Sequence, residues 1–107
     1  MRIVMAASEA YPFSKTGGLA DVSASLSRAL NDLGHEVWLF VPHYRQLYEK
    51  KQETLPRLES TGLSITIPIA SKLMTAEILW TQLPHSDVTV MFVDQPEYFD
   101  RASLYNE

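Results

Sequence analysis

The sequence contains no cysteine. That excludes disulfides, zinc–thiolate sites and thiol nucleophiles, and it fits a reducing compartment. Long apolar runs are missing too, and no stretch approaches the roughly 18 residues of a membrane-spanning helix. The opening segment MRIVMAASEAYPF carries one arginine and a short apolar run, too short for the core of a signal peptide. Positive charge is scarce. The longest basic run is Lys50-Lys51 and the net charge is −4, which leaves no footprint for nucleic acid or an anionic membrane. Glycine is sparse as well, with only four in 107 residues, yet two of them stand side by side as Gly17 and Gly18. Their placement therefore needs a reason. Against these absences, 46% of the residues are hydrophobic and 21% charged, the balance of a folded soluble domain rather than a disordered chain. The length suits one small domain or part of a larger one.

Residues 2–8, RIVMAAS, are apolar on both faces, as in a buried parallel strand. The segment EAYPFSKTGG comes next, a loop broken by Pro12 and the two glycines. In LADVSASLSRALNDLG, apolar residues at Leu19, Val22, Leu26, Ala29, Leu30 and Leu33 are spaced by three and four, which predicts one helical stripe. Gly34 stands where a helix C-terminal cap favours glycine. HEVWLFVP is a second strand, ended by Pro42. Strand, helix and strand form a right-handed βαβ unit.

The second half is more polar. It begins with a short helix around Tyr44 to Lys51. GLSITIPIA alternates Leu63, Ile65, Ile67 and Ile69 with Ser64, Thr66 and Pro68, a strand with one wet face, and Pro68 places it at an edge. LMTAEILWTQLP reads as its antiparallel partner. DVTVMFVDQ is a further buried strand, and Pro96 opens a helix in PEYFDRASLY. The fold expected is α/β: the front portion of a Rossmann-like domain, with a mostly parallel sheet and one antiparallel hairpin. With a single secure helix, the core is thin, since such sheets are normally covered on both faces.

The stretch KTGG thus lies between the first strand and the first helix. Ligands of open parallel sheets bind at the carboxyl ends of the strands. Glycine permits positive φ and a close approach of backbone N–H groups. The helix N-terminus offers free donors and partial positive charge, and Lys15 adds a full charge. Together these residues make an oxyanion or phosphate cradle. Asp21, early in the helix, favours the dipole or accepts from a ligand hydroxyl. The dinucleotide fingerprint G-x-G-x-x-G and the P-loop G-x-x-x-x-G-K-[ST] are both absent. A Gly-Gly turn with a solvated lysine and a helix-capping aspartate reads the same residues equally well.

SEAYPFSKTGGLADVSASLSRAL resembles the N-terminus of bacterial glycogen synthases and plant starch synthases. Their signature of lysine, any residue, Gly-Gly-Leu and Ala-Asp-Val stands here as Lys15-Thr16-Gly17-Gly18-Leu19-Ala20-Asp21-Val22. LGHEVWLFVPHY (Leu33 to Tyr44) and PEYFDRASLY (Pro96 to Tyr105) are similar to further family segments, with a variable stretch between about Glu49 and Leu83. The resemblance implies a retaining glycosyltransferase of the GT-B fold, with two Rossmann-like domains around a cleft. Such enzymes transfer glucose from ADP-glucose to the nonreducing end of an α-1,4-glucan. It implies that Lys15, Thr16, Gly17 and Gly18 face the donor's phosphates and glucose, that Asp21 lies near the donor, and that Glu9 lies near the sugar pocket. Donors of this kind stabilise charge developing on the leaving diphosphate. No metal or cofactor is implied. The family's remaining donor-pocket groups and its second domain fall beyond residue 107, so no catalytic residue is assigned within this chain and the chain alone is expected to be inactive. The resemblance leaves the choice between ADP-glucose and UDP-glucose open.

Other polar residues read as structural. His35 is a turn residue and His85 sits in a hairpin turn. His43, at the end of the second strand, is site-like in place but reads as a hydrogen-bonded loop histidine. Asp94 ends a strand and can face the cleft. Glu97 favours a helix's first turn. Asp94, Glu97 and Asp100 together also suggest acid–base work; Arg101 is read as structural, and Trp38 and Trp80 as core rather than sugar platforms. The sequence supports three readings: part of a cytoplasmic bacterial synthase, a stand-alone nucleotide-sugar or phosphate-binding module without chemistry, or a truncated product with no function of its own.

Overall fold

The computed structural model describes residues 1–50 and 53–99. The expectations for Asp100, Arg101 and the end of the last helix lie outside the described residues. The elements run β1 (Arg2–Ala6), α1 (Gly18–Asp32), β2 (Glu36–Pro42), α2 (Arg45–Glu49), β3 (Glu59–Ile69), β4 (Lys72–Gln82), β5 (Thr89–Asp94) and α3 (Pro96–Phe99). They build one sheet in the order β1-β2-β5-β4-β3. β1, β2 and β5 are parallel, and β4 and β3 join antiparallel. The βαβ unit, the hairpin and the edge position of β3 are as the sequence predicts.

Because side chains alternate along a strand, the register sorts the sheet into two faces. Ile3 and Met5 lie beside Val37 and Leu39, and Leu39 and Val41 beside Val90 and Phe92. This face carries the core, closed by Ala10, Phe13, Ala24, Tyr48, Leu83 and Val88. Burying each large side chain there contributes about 1.5–3 kcal/mol.

Helix α1 covers this face with little of its large apolar stripe, from which Leu30 packs against the core. Its buried residues are Ala20, Ser23, Ala24 and Ser27, and Ser27 Oγ meets Met5 Sδ at 3.4 Å. Leu19, Val22, Leu26 and Leu33 are 45–75% exposed. The stripe exists, but small residues pack against the strands because they let the helix backbone come close. Helix α1 is also tied to the β4–β5 turn: Arg28 Nε donates to the Pro84 carbonyl at 3.0 Å, and Asn31 Oδ1 accepts from the Asp87 amide at 3.0 Å. The helix ends at Gly34, whose φ of +94° is the left-handed value that favours glycine.

The opposite sheet face is largely uncovered. Val4 is 66% exposed and Trp80 38%, while Trp38 and Phe40 are half-buried. The two tryptophans therefore lie on this open face and not in the core. The apolar side of β3 is open too, with Ile65, Ile67 and Ile69 exposed. Between Ser60 and Ser71 there is no charge to discourage contact. Exposed apolar area of this extent favours association. Replacing both Leu26 and Ile67 with lysine should lower self-association by sedimentation while leaving the melting temperature within a few degrees.

Candidate functional site

The loop from Ala7 to Gly17 leaves the carboxyl end of β1 and returns to the head of α1. Ala7 holds the last ladder contact, its amide donating to the Phe40 carbonyl at 3.0 Å. Phe13 pins the middle of the loop. It is buried, stacks on Tyr48 at 6.4 Å and meets Phe92 edge-on at 5.2 Å. The amides of Phe13 and Ser14 both donate to the Ala10 carbonyl at 2.9 Å. An apolar anchor and a tight turn thus present Lys15 to Gly18 on the rim of the sheet.

Glu9 organises the junction between this loop and the helix. Its side chain is 1% exposed, and its carboxylate accepts from Thr16 Oγ1 at 2.5 Å, the Gly17 amide at 3.3 Å and the Ala20 amide at 3.1 Å. Burial by itself would raise its pKa. The hydrogen bonds from Thr16, Gly17 and Ala20 outweigh that and hold it below the ordinary 4.5. Gly17, the residue before the helix, has no capping side chain of its own. Glu9 caps α1 instead, from eight residues upstream. The carboxylate and the helix dipole attract each other there. The resemblance implies that Glu9 lies near a sugar pocket; in the structure its oxygens accept from Thr16, Gly17 and Ala20.

With Thr16, Gly17 and Ala20 engaged, the amides of Gly18 and Leu19, the first two helical residues, have no acceptor among the described residues. Among the described residues, nothing beyond the chain neighbours lies within 4 Å of where a Cβ would stand at Gly17 or Gly18. Gly17 has φ −166°, extended backbone open to any residue. The expected positive φ is therefore not why glycine stands here. Among the described residues, the two glycines leave open space over the Gly18 and Leu19 amides, where a ligand oxygen can approach. A Gly17→Ala substitution should leave the fold intact, with the melting temperature unchanged within about 3 °C, because the side chain meets nothing.

Lys15 and Asp21 lie at the same rim. Lys15 Nζ and Asp21 Oδ2 are 2.8 Å apart, both side chains about half-exposed, and Nζ sits 5.6 Å above the Tyr11 ring. The hydrogen bond to Asp21 raises the Lys15 pKa, so the ammonium is fully charged at neutral pH. Asp21 is thus the partner of Lys15 and does not cap the helix. An exposed pair of this kind is weak and is easily exchanged for a stronger anion. The structure brings Glu9, Lys15, Thr16, Gly17, Gly18 and Asp21 together at one helix end.

A second polar cluster lies at the same carboxyl edge. Asp94, buried at the end of β5, accepts from His43 Nδ1 at 3.1 Å and binds Arg45 through both oxygens, with Nε at 3.0 Å and the terminal nitrogen at 2.8 Å. Burial pushes its pKa up, but the bonds and charges of Arg45 and His43 pull it below the ordinary 3.8. His43 is the hydrogen-bonded loop residue the sequence suggests. It also borders a cavity of about 480 Å³ floored by Tyr48, Leu58 and Leu79. Among the described residues, no group of three or more His, Asp or Glu is arranged to hold a metal ion, and no helix is long and apolar enough to cross a membrane.

The architecture has a close counterpart. The catalytic domain of starch synthase IV from Arabidopsis thaliana, bound to ADP and acarbose, superimposes with a TM-score of 0.81 at 28% identity, over 99% of this chain and 21% of that one. The fold is therefore that of a GT-B glycosyltransferase catalytic domain. Residues 2–107 match the family model for the starch synthase catalytic domain. A glycogen synthase of Elusimicrobium minutum is 44% identical over 106 residues, covering 98% of this chain and 20% of its own length. One from Cellvibrio japonicus is 45% identical over 100 residues, covering 94% and 19%. The chain belongs to the starch synthase catalytic domain family, and it spans about a fifth of the length of these curated relatives.

Proposed function

We propose that this chain forms one wall of the cleft, and one half of the donor site, of a glycogen or starch synthase that transfers glucose from ADP-glucose to the nonreducing end of an α-1,4-glucan with retention. The bond from the anomeric carbon to the diphosphate breaks, a new bond forms from that carbon to the acceptor's hydroxyl oxygen, and the proton that oxygen loses leaves with ADP. The observation that carries this reading is the pair of amides at Gly18 and Leu19 that have no acceptor among the described residues, flanked by Lys15 at the head of α1. These groups suit the negative charge that gathers on the leaving diphosphate. Lys15 exchanges Asp21 for phosphate, Thr16 and Glu9 hold the loop, and Gly17 and Gly18 keep the approach open. The starch synthase IV neighbour binds ADP and acarbose, which supports a nucleotide and a glucan as ligands. In this reading a second domain forms the cleft's other wall. No cofactor enters the reading, and the setting is the cytoplasm.

The test is substitution of Lys15 by alanine in the context of the complete catalytic domain. Losing one charged contact should weaken ADP-glucose use roughly tenfold or more. Unchanged kinetics would remove Lys15 from the donor site. A second reading is favoured by the fact that the whole cradle comes from one loop of this chain: a stand-alone nucleotide-sugar or phosphate-binding module without chemistry. ADP binding by the chain, with no glucan elongation when the second domain is supplied, would select it.

A further inference from the structure

Tyr44 stands between the two residues that bind Asp94. It is 6% exposed, its ring meets Phe99 edge-on at 5.9 Å, and its hydroxyl donates to the Ser8 carbonyl at 2.8 Å. Ser8 is covalently next to Glu9, whose carboxylate holds Thr16, Gly17 and Ala20. A continuous line of hydrogen bonds and short chain segments therefore runs from the end of β5, through His43 and Arg45 to Tyr44, and on through Ser8 and Glu9 to the head of α1. The line spans the gap between the last ladder contact of β1, at Ala7, and the turn at Ala10.

We infer that Tyr44 is a positioning residue for the Lys15–Gly18 loop: its hydroxyl fixes Ser8 and Glu9, and through them the direction of the open Gly18 and Leu19 amides. The inference rests on the donor-site reading for the nature of the ligand, though not for the strut itself. A ligand that meets a pre-set loop gives up less binding energy to ordering it. Asp94 then acts at a distance by holding His43 and Arg45 on either side of Tyr44.

Tyr44→Phe removes one oxygen and keeps the ring packed on Phe99. Amide hydrogen exchange, followed residue by residue by NMR, should accelerate about tenfold at Ala20, the buried amide bound to Glu9, and remain unchanged at Val90 in the sheet. ADP affinity should fall roughly fivefold or more. Thr66→Val is the control. The Thr66 hydroxyl pairs with that of Thr75 at 3.0 Å in the β3–β4 hairpin, away from the loop, so its loss should alter neither readout. The inference is overturned if Ala20 exchange is unchanged in Tyr44→Phe. The same holds if Ala20 and Val90 accelerate together, or if ADP binds Tyr44→Phe as tightly as the parent chain. If the parent chain binds no ADP, the donor-site reading fails, while the exchange rates still decide the strut.

Discussion

Glu9→Ala should lower the melting temperature by about 10–20 °C and release the first turn of α1. The substitution removes the helix cap and the acceptor for one hydroxyl and two amides, one of them on buried Ala20. A lost cap costs about 1 kcal/mol, and a buried donor left unpaired adds about 1–3 kcal/mol. The sum, roughly 2–4 kcal/mol, is a large share of the stability of a small domain. Glu9→Gln keeps one carbonyl oxygen in place and should lose about half as much. Circular dichroism melts of the three proteins check this. Equal stability of all three would show that the carboxylate is not the cap.

Asp94→Ala is the second large effect. It leaves the His43 Nδ1 and the Arg45 guanidinium without their shared partner. Breaking a fully buried pair costs about 3–5 kcal/mol. The Arg45 side chain is 40% exposed, so water takes over part of the solvation and the expected cost falls to about 2–3 kcal/mol. Urea denaturation should show a lower midpoint with the slope retained.

Asp94 and Glu9 also set the acid limit. Both carboxyls titrate lower in the folded chain than in the unfolded one, from ordinary values of 3.8 and 4.5. As pH falls, the unfolded chain therefore binds protons first. Their contribution is full above that range and is lost as pH drops through it toward the folded-state values. The double variant Glu9→Ala with Asp94→Ala should flatten the acid side of the stability profile. An unchanged acid midpoint would exclude both groups.

The strands and α1 are legible in the sequence because their periods are set by local geometry. Continuous apolar runs mark β1, β2 and β5, and the alternation from Leu63 to Ile69 marks β3. Which face of α1 is buried was not legible. The large stripe from Leu19 to Leu33 has the stronger hydrophobic signal, but close packing on the sheet selected Ala20, Ser23, Ala24 and Ser27. The loop's place was readable from KTGG between a strand and a helix. Its internal wiring was not, because Glu9 reaches partners 7 to 11 residues away and Asp94 reaches partners 49 and 51 residues away. Such pairings depend on how the elements meet, and no local pattern encodes them.

The most direct measurement is an ADP titration of the complete catalytic domain monitored by amide NMR, repeated with Lys15→Ala. The expected result is saturable shifts centred on Gly18 and Leu19, lost or weakened about tenfold in the variant. No shift at millimolar ADP, or shifts confined to the cavity beside His43 and Leu79 and indifferent to Lys15, would contradict the donor site.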